Sequence, residues 1–335
     1  MVVPERPILV APDAFKGTFR ASEVAAAIGR GLERAGLMPP DLCPVADGGE
    51  GTLDALLPGL GGELVGATAQ GPLGGEVRTG FALVEDGGTA IVETAAASGL
   101  HLVPEAARDA WSASTYGTGE LIAAAVDAGA RVVLVAVGGS ATTDGGAGAL
   151  EAIEARGGMR GTRLVVLCDV RTPFEDAPRV FAPQKGADAV TVARLEERLD
   201  ALGRRWPRDP RGVPMTGAAG GLSGGLWAAL GAVLEPGAPW VLDALDFDAR
   251  MRAARAVVTG EGGLDEQTLQ GKLVGEIGTR ARQAGVPLHA VVGHDDLDPF
   301  GKRIIDLQRV YEATDLAAME AAGEALGADL ASGRA

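Results

Sequence analysis

From Arg131 to Leu150 the chain reads RVVLVAVGGSATTDGGAGAL, and this stretch limits the choice of fold more than any other. Val132 to Val137 is an unbroken apolar, β-branched run, the pattern of a strand covered on both faces. The string GGSATTDGGAG follows, and helix formers resume at Ala149. A strand, a glycine-rich loop and a helix N-terminus are predicted in that order. Unpaired N–H groups and the helix dipole make such a junction receptive to an anion. Ser140, Thr142 and Thr143 add hydroxyls there, and Asp144 adds a carboxylate. Two readings stand: a phosphate cradle beside a metal or an acceptor hydroxyl, or a tight turn in which Asp144 caps the helix.

Similar junctions recur. Ile8–Ala11 reads as a buried strand whose end carries Asp13 and Lys16, where open α/β sheets bind ligands. Leu42–Ala46 leads into DGGEGT, whose Asp47 and Glu50 suit a hard cation such as Mg²⁺, or else cap a helix starting near Thr52. Leu164–Cys168 ends at Asp169, and PQKGA brings Lys185. Arg255–Thr259 leads into GEGGLDEQTLQGK, with Glu261, Asp265, Thr268 and Lys272. Pro287–Val292 is the last clear strand and ends in GHDD. Between these, residues 61–93 alternate with period two and are broken by Gly-Pro and Asp-Gly, which predicts an antiparallel meander of three or four strands. The expected organisation is therefore α/β with two domains. Residues 1–60 and 245–335 form a discontinuous parallel-sheet domain, and 61–244 form an inserted mixed α/β domain. A cleft between domains is the expected ligand site.

The net charge of −15 argues against nucleic acid as a partner, since phosphate neutralisation needs clustered Lys and Arg. No apolar run reaches the length of a membrane span, the N-terminal residues lack the pattern of a secretory leader, and two distant cysteines give no disulfide framework. A cytoplasmic protein without membrane partners is expected. His101 and His289 read as structural, and His294 as a strand-end residue able to touch a ligand. No Ser–His pairing is suggested, no G-x-x-x-x-G-K-[ST] string occurs because Leu273 follows Lys272, and no dinucleotide fingerprint follows the first strand. Acid-rich loops with glycines and Lys16, Lys185 and Lys272 fit phosphoryl transfer better than hydride transfer or simple ligand sensing.

Taken together, APDAFKGT, PVADGGEGT, AAASGL, YGTGELI, GGSATTDGGAG, CDV, PQKGA and GEGGLDEQTLQGK resemble the type 1 bacterial glycerate kinase family, in that family's order and over most of the chain. The resemblance implies ATP-dependent, Mg²⁺-assisted phosphorylation of D-glycerate, giving 2-phosphoglycerate or the 3-phosphate. It also implies a Rossmann-like discontinuous domain beside a second α/β domain. Carried onto matching positions, it suggests Asp144 or Asp265 as the base or metal ligand near the substrate hydroxyl. Lys16 and Lys272 would meet the carboxylate or the moving phosphoryl group. Asp13, Asp47, Glu50, Lys185 and Glu261 would be substrate contacts, and Asp47, Asp144 and Asp169 metal ligands. Gly138, Gly139, Ser140, Thr142, Gly145, Gly146, Gly220 and Gly221 would hold the nucleotide. A homodimer is the assembly to be tested. Two departures stand out: a short 151–163 connection, and a leucine and a serine inside GAAGGLSGGL.

Overall fold

Eleven strands run through the described residues. β1 (Ile8–Pro12), β2 (Asp41–Leu42), β3 (Gly62–Gln70), β4 (Glu76–Val84), β5 (Thr89–Glu93) and β6 (Val132–Ala136) come first. β7 (Arg163–Cys168), β8 (Val233–Pro236), β9 (Ala256–Gly260), β10 (Leu288–Val292) and β11 (Leu307–Glu312) follow. The structure is a computed structural model that describes residues 6–15, 17–270 and 272–332, so Lys16 lies outside the described residues. The chain divides into two compact units, 1–47 with 54–56 and 238–335, and 48–53 with 57–237. The divisions thus fall after Asp47 and Gly237, not at 60 and 244, and the helix Thr52–Leu60 is shared in sequence between the units.

In the first unit the sheet order is β11-β10-β9-β1-β2, and every neighbouring pair is parallel. All residues of β1, β9 and β10 are buried, as unbroken apolar runs require. One face is covered by the helices Ala21–Arg34 and Leu316–Ala331. Val24, Ile28 and Leu32 recur at helical spacing and join Val10, Val258, Val291 and Leu326 in one core. Leu264, Val274, Ala290, Val292, Leu297 and Ile305 form the other core. Burying each of these larger aliphatic side chains stabilises the fold by roughly 1.5–3 kcal/mol.

In the second unit the order is β3-β4-β5-β6-β7-β8. The sheet is antiparallel from β3 to β5 and parallel from β5 to β8. The period-two segment is thus a three-stranded meander whose last strand also starts the parallel half. Helices Tyr116–Asp127, Ala147–Ala155 and Leu222–Leu230 contribute Leu121, Ile122, Ile153, Leu222 and Leu226 to a core with Val133, Val135 and Val166. Among the described residues no helix is long and apolar enough to cross a membrane.

His289 on β10 is fully buried, with neither ring nitrogen hydrogen-bonded, opposite Arg309 on β11. Burial, reinforced by the Arg309 charge, pushes its pKa from 6.5 down to about 4. Between those values the unfolded chain binds a proton that the folded chain refuses, so stability is full above 6.5 and falls with pH toward 4. Urea unfolding at pH 7 and pH 4 should differ by about 3 kcal/mol through this group. His289→Leu should flatten that part of the profile, and an unchanged slope would remove His289 as its cause.

Candidate active site

Each unit gathers its chemically active side chains at the carboxyl ends of parallel strands, and each gathering is described separately. In the first unit a cavity of about 500 Å³ opens there. Asp13 follows β1, Glu261 follows β9, His294 follows β10, and Thr314 lies just beyond β11. Thr18, Asp47 and Lys272 add to its polar lining. Strand ends in an open parallel sheet converge because the crossover helices return the chain to the opposite edge, which brings residues distant in sequence onto one rim.

Asp13 and Asp47 are nearly buried, at 5% and 4% exposure. The Asp13 backbone N–H donates to the Gly260 carbonyl at 2.8 Å, and its Oδ1 accepts from the Ala14 N–H at 2.7 Å. Glu261 is oriented by the buried Thr268 hydroxyl, which donates to its Oε1 at 2.7 Å. Lys272 stands at the N-cap position of the helix Leu273–Ala284, so an ammonium and a helix N-terminus border the same cavity, beside the backbone of Gly262 and Gly263. Asp265 does not line this cavity. Its Oδ1 accepts from the Gln267 N–H at 2.7 Å, which starts the short helix Glu266–Gln270. The exposed His294 ring lies 3.1 Å from Asp296.

In the second unit the turn after β6 packs against two other loops. A Cβ on Gly138 would stand 2.6 Å from the Gly49 Cα, and one on Gly139 would stand 3.2 Å from a Glu50 carboxylate oxygen. Glu50 therefore sits beside Gly139, the exposed residue of a turn otherwise buried through Gly146. Gly145 donates to the Gly220 carbonyl at 3.1 Å, and a Cβ on Gly220 would collide with the Thr142 carbonyl. Gly145, Gly146, Gly220 and Gly221 are thus buried where one glycine string lies against the other. The missing side chains make room for backbone at Gly146 and Gly220 and for the Phe174 ring at Gly145 and Gly221. Ala219 is held at φ 51°, a left-handed conformation costly for a residue with a Cβ.

Asp144 has 1% exposure. Its Oδ2 accepts from the Thr115 N–H at 2.8 Å, the Thr115 hydroxyl at 2.9 Å and the Gly148 N–H at 3.2 Å. Its Oδ1 accepts from the Gly146 N–H at 3.0 Å. These donors engage both carboxylate oxygens inside the unit; the N-cap residue of the helix Ala147–Ala155 is Gly146, and Asp144 binds the Gly146 and Gly148 N–H groups from two residues before it. Among the described residues no three His, Cys, Asp or Glu side chains converge to hold a metal ion. Lys185 has 2% exposure, and its Nζ donates to the Ser140 Oγ at 3.0 Å and the Thr142 carbonyl at 2.6 Å. Burial lowers its pKa to about 7, against the opposing pull of Asp144 and Asp169. The Thr142 and Thr143 hydroxyls, fully buried, have no partner.

Thr314, which lines the cavity, and Thr115, which donates to Asp144, are residues that sequence reasoning passed over. β11, LQRVYE, has no apolar/polar alternation, so neither the strand nor Thr314 beyond its end was marked. Nothing in the sequence ties Thr115 to a carboxylate 29 positions away.

The description "Glycerate kinase family" matches residues 8–160 and 154–325. A glycerate kinase of Bacillus subtilis is 40% identical over 327 residues, covering 85% of this chain and 84% of its own. The Escherichia coli glycerate 2-kinase is 36% identical over 340 residues, covering 89% and 88%. A crystal structure from Salmonella typhimurium LT2, provisionally named glycerate kinase 2, superposes with a TM-score of 0.82 at 32% identity, covering 98% of this chain and 99% of that one.

Asp144→Asn replaces an acceptor by an amide that points N–H groups at N–H groups. Chemical denaturation should show a loss of about 2 kcal/mol. Parent-like stability would show that the four donors do not need the charge.

Proposed function

The chain belongs to the glycerate kinase family, and from that premise we propose that it transfers the γ-phosphoryl group of ATP to D-glycerate. The name of the Escherichia coli relative, glycerate 2-kinase, supports 2-phosphoglycerate as the product. The setting proposed is the cytoplasm, where ATP is abundant. The observation that carries the reading is the first unit's cavity, where Lys272 and a helix N-terminus share one rim with Asp13, Asp47 and Glu261.

Mg²⁺ commonly takes only one or two carboxylates and completes its shell with water and phosphate oxygens. The cavity therefore suits it without a cluster of three protein ligands. Asp13 and Asp47 are the residues that would hold it, rather than the inward-turned Asp144. When bound, the ion offsets phosphate charge and polarises the phosphoryl group. Lys272 and the N–H groups opening the helix Leu273–Ala284 hold negative charge in place as it spreads over the phosphoryl oxygens. The glycerate hydroxyl oxygen bonds to phosphorus as the bond from phosphorus to the bridging oxygen breaks. ADP leaves, and the hydroxyl proton passes to a carboxylate of the cavity. Glu261, oriented by Thr268, is the residue assigned to accept it. In the second unit the exposed Gly139 with Glu50 beside it forms a further surface, proposed to meet an oxyanion and a hydroxyl of the substrates.

ADP release coupled to a panel of small hydroxy acids should be highest with D-glycerate and should require Mg²⁺. Phosphorus NMR of the product should show the 2-phosphate. Lys272→Met and Glu261→Gln should each lower kcat by about 10²-fold or more. No glycerate-dependent ADP release would end the assignment, and parent-like kcat in both variants would move the chemistry away from this cavity.

A further inference from the structure

Lys185 was expected to touch substrate, yet its ammonium is shut inside the second unit. It rises from the short helix Pro183–Lys185, and both of its hydrogen bonds go to one turn: Ser140 Oγ at 3.0 Å and the Thr142 carbonyl at 2.6 Å. The turn has its own backbone ties on another side. Leu100 donates to the Gly139 carbonyl at 2.8 Å, and Ala141 donates to the Ser98 carbonyl at 2.8 Å. At Thr142 the second glycine string presses so closely that a Cβ on Gly220 would strike the same carbonyl. That carbonyl is thus hemmed in by backbone and reached by a buried cation. Asp144 and Asp169 are the carboxylates that act on this cation. A buried ammonium is costly unless its surroundings are fixed, so its presence here ties the turn's shape to one side chain.

We propose that Lys185 is a positioning residue for phosphoryl transfer, clamping the turn Gly138–Thr143 so that its exposed edge at Gly139 keeps the shape that meets substrate. The proposal rests on the reading that this turn takes part in the kinase reaction. Lys185 touches no reacting atom. It acts through Ser140 and Thr142, and the loss of its two hydrogen bonds frees a turn that backbone contacts hold on one side.

Two readouts test it separately. Lys185→Met keeps the aliphatic stem and removes the donors and the charge. Amide hydrogen exchange in the variant should speed up in peptides covering 138–146 while those covering β1 and β9 stay at parent rates. Its kcat should fall by about 10²-fold, since small displacements of a positioning element have effects of that size. Lys185→Ala in the presence of ethylammonium should recover activity in a saturable way, because the small cation fits the space left by the stem. Purely apolar packing at 185 would be served by methionine and would not respond to the amine. Unchanged exchange at 138–146 in Lys185→Met would overturn the clamp. Faster exchange with parent-like kcat would overturn its link to catalysis. If the methionine variant does not fold, the alanine variant folded with ethylammonium and then freed of it carries both readouts. A parent enzyme inactive with glycerate would count against the proposed function alone, since the exchange result stands without turnover.

Discussion

A single carboxylate fixes much of the second unit. Asp144 is almost wholly buried, and burying an ion costs several kcal/mol unless donors offset it in defined positions. Its four donors come from Thr115 and from the first turn of the helix Ala147–Ala155. Meeting that need fixes where the helix Tyr116–Asp127 begins relative to the helix Ala147–Ala155. Thr115 completes the arrangement, because its hydroxyl also accepts from the Ala149 N–H at 3.0 Å. Once both helix starts are fixed, the chain from Gly138 to Thr143 must cross from β6 to that junction by one short path. The path carries the Thr142 carbonyl to Lys185 and to Gly220. The buried ammonium and the buried carboxylate thus belong to one arrangement, each held by hydrogen bonds inside the unit.

The architecture was legible wherever burial leaves a strong pattern. β1, β6, β9 and β10 are apolar runs because both of their faces are covered. The meander is visible because β3 and the first half of β4 leave exposed, polar positions among their apolar ones. Elements with weaker burial were harder to see. β11, LQRVYE, is an edge strand with half its residues exposed, so packing does not dictate its composition. β8 is too short to show a period. The strand expected at 42–46 is registered as a ladder only at Asp41–Leu42, although Cys43 and Val45 still donate to the Val10 and Pro12 carbonyls at 2.8 and 3.1 Å. Local sequence carries apolar periodicity well, but it does not carry the depth at which a strand sits in its sheet.

The site divides on a similar line. Asp13, Asp47, Glu261 and Lys272 follow strand ends, and strand ends can be read from sequence, so their convergence on one cavity was accessible. The glycines were accessible only in part. A glycine-rich string says that a Cβ is not tolerated, and it is silent on what excludes it. At Gly139, itself exposed, a Cβ would meet the Glu50 carboxylate at 3.2 Å, whereas at Gly220 it would strike the Thr142 carbonyl. Two strings of like composition therefore do different work: one gives the turn its exposed edge, and the other lets two loops lie in contact. The burial of Asp144 and Lys185 was hidden for a related reason. Residue type announces a charge near a glycine loop, but whether that charge faces inward depends on partners tens of positions away.

The charge balance points to the form in which an anion would enter. The chain carries a net charge of −15, and the cavity of the first unit adds Asp13, Asp47 and Glu261 near Lys272, the one lysine lining it among the described residues. A bare polyphosphate meeting that rim is attracted by Lys272 and the helix N-terminus and repelled by three carboxylates. With an effective dielectric near 20, each like-charge contact at about 4 Å costs about 4 kcal/mol, more than one lysine and a helix dipole can offset across several phosphates. A divalent cation shared between carboxylate and phosphate reverses the sign of the largest of these contacts. A cavity whose described lining sets three carboxylates against one lysine is therefore better suited to an oxyanion that arrives with its metal than to a free one. On that argument, where the proposed kinase reading holds, the acids of this site would favour the metal complex of the nucleotide over the free nucleotide, and Lys272 would face the group being transferred.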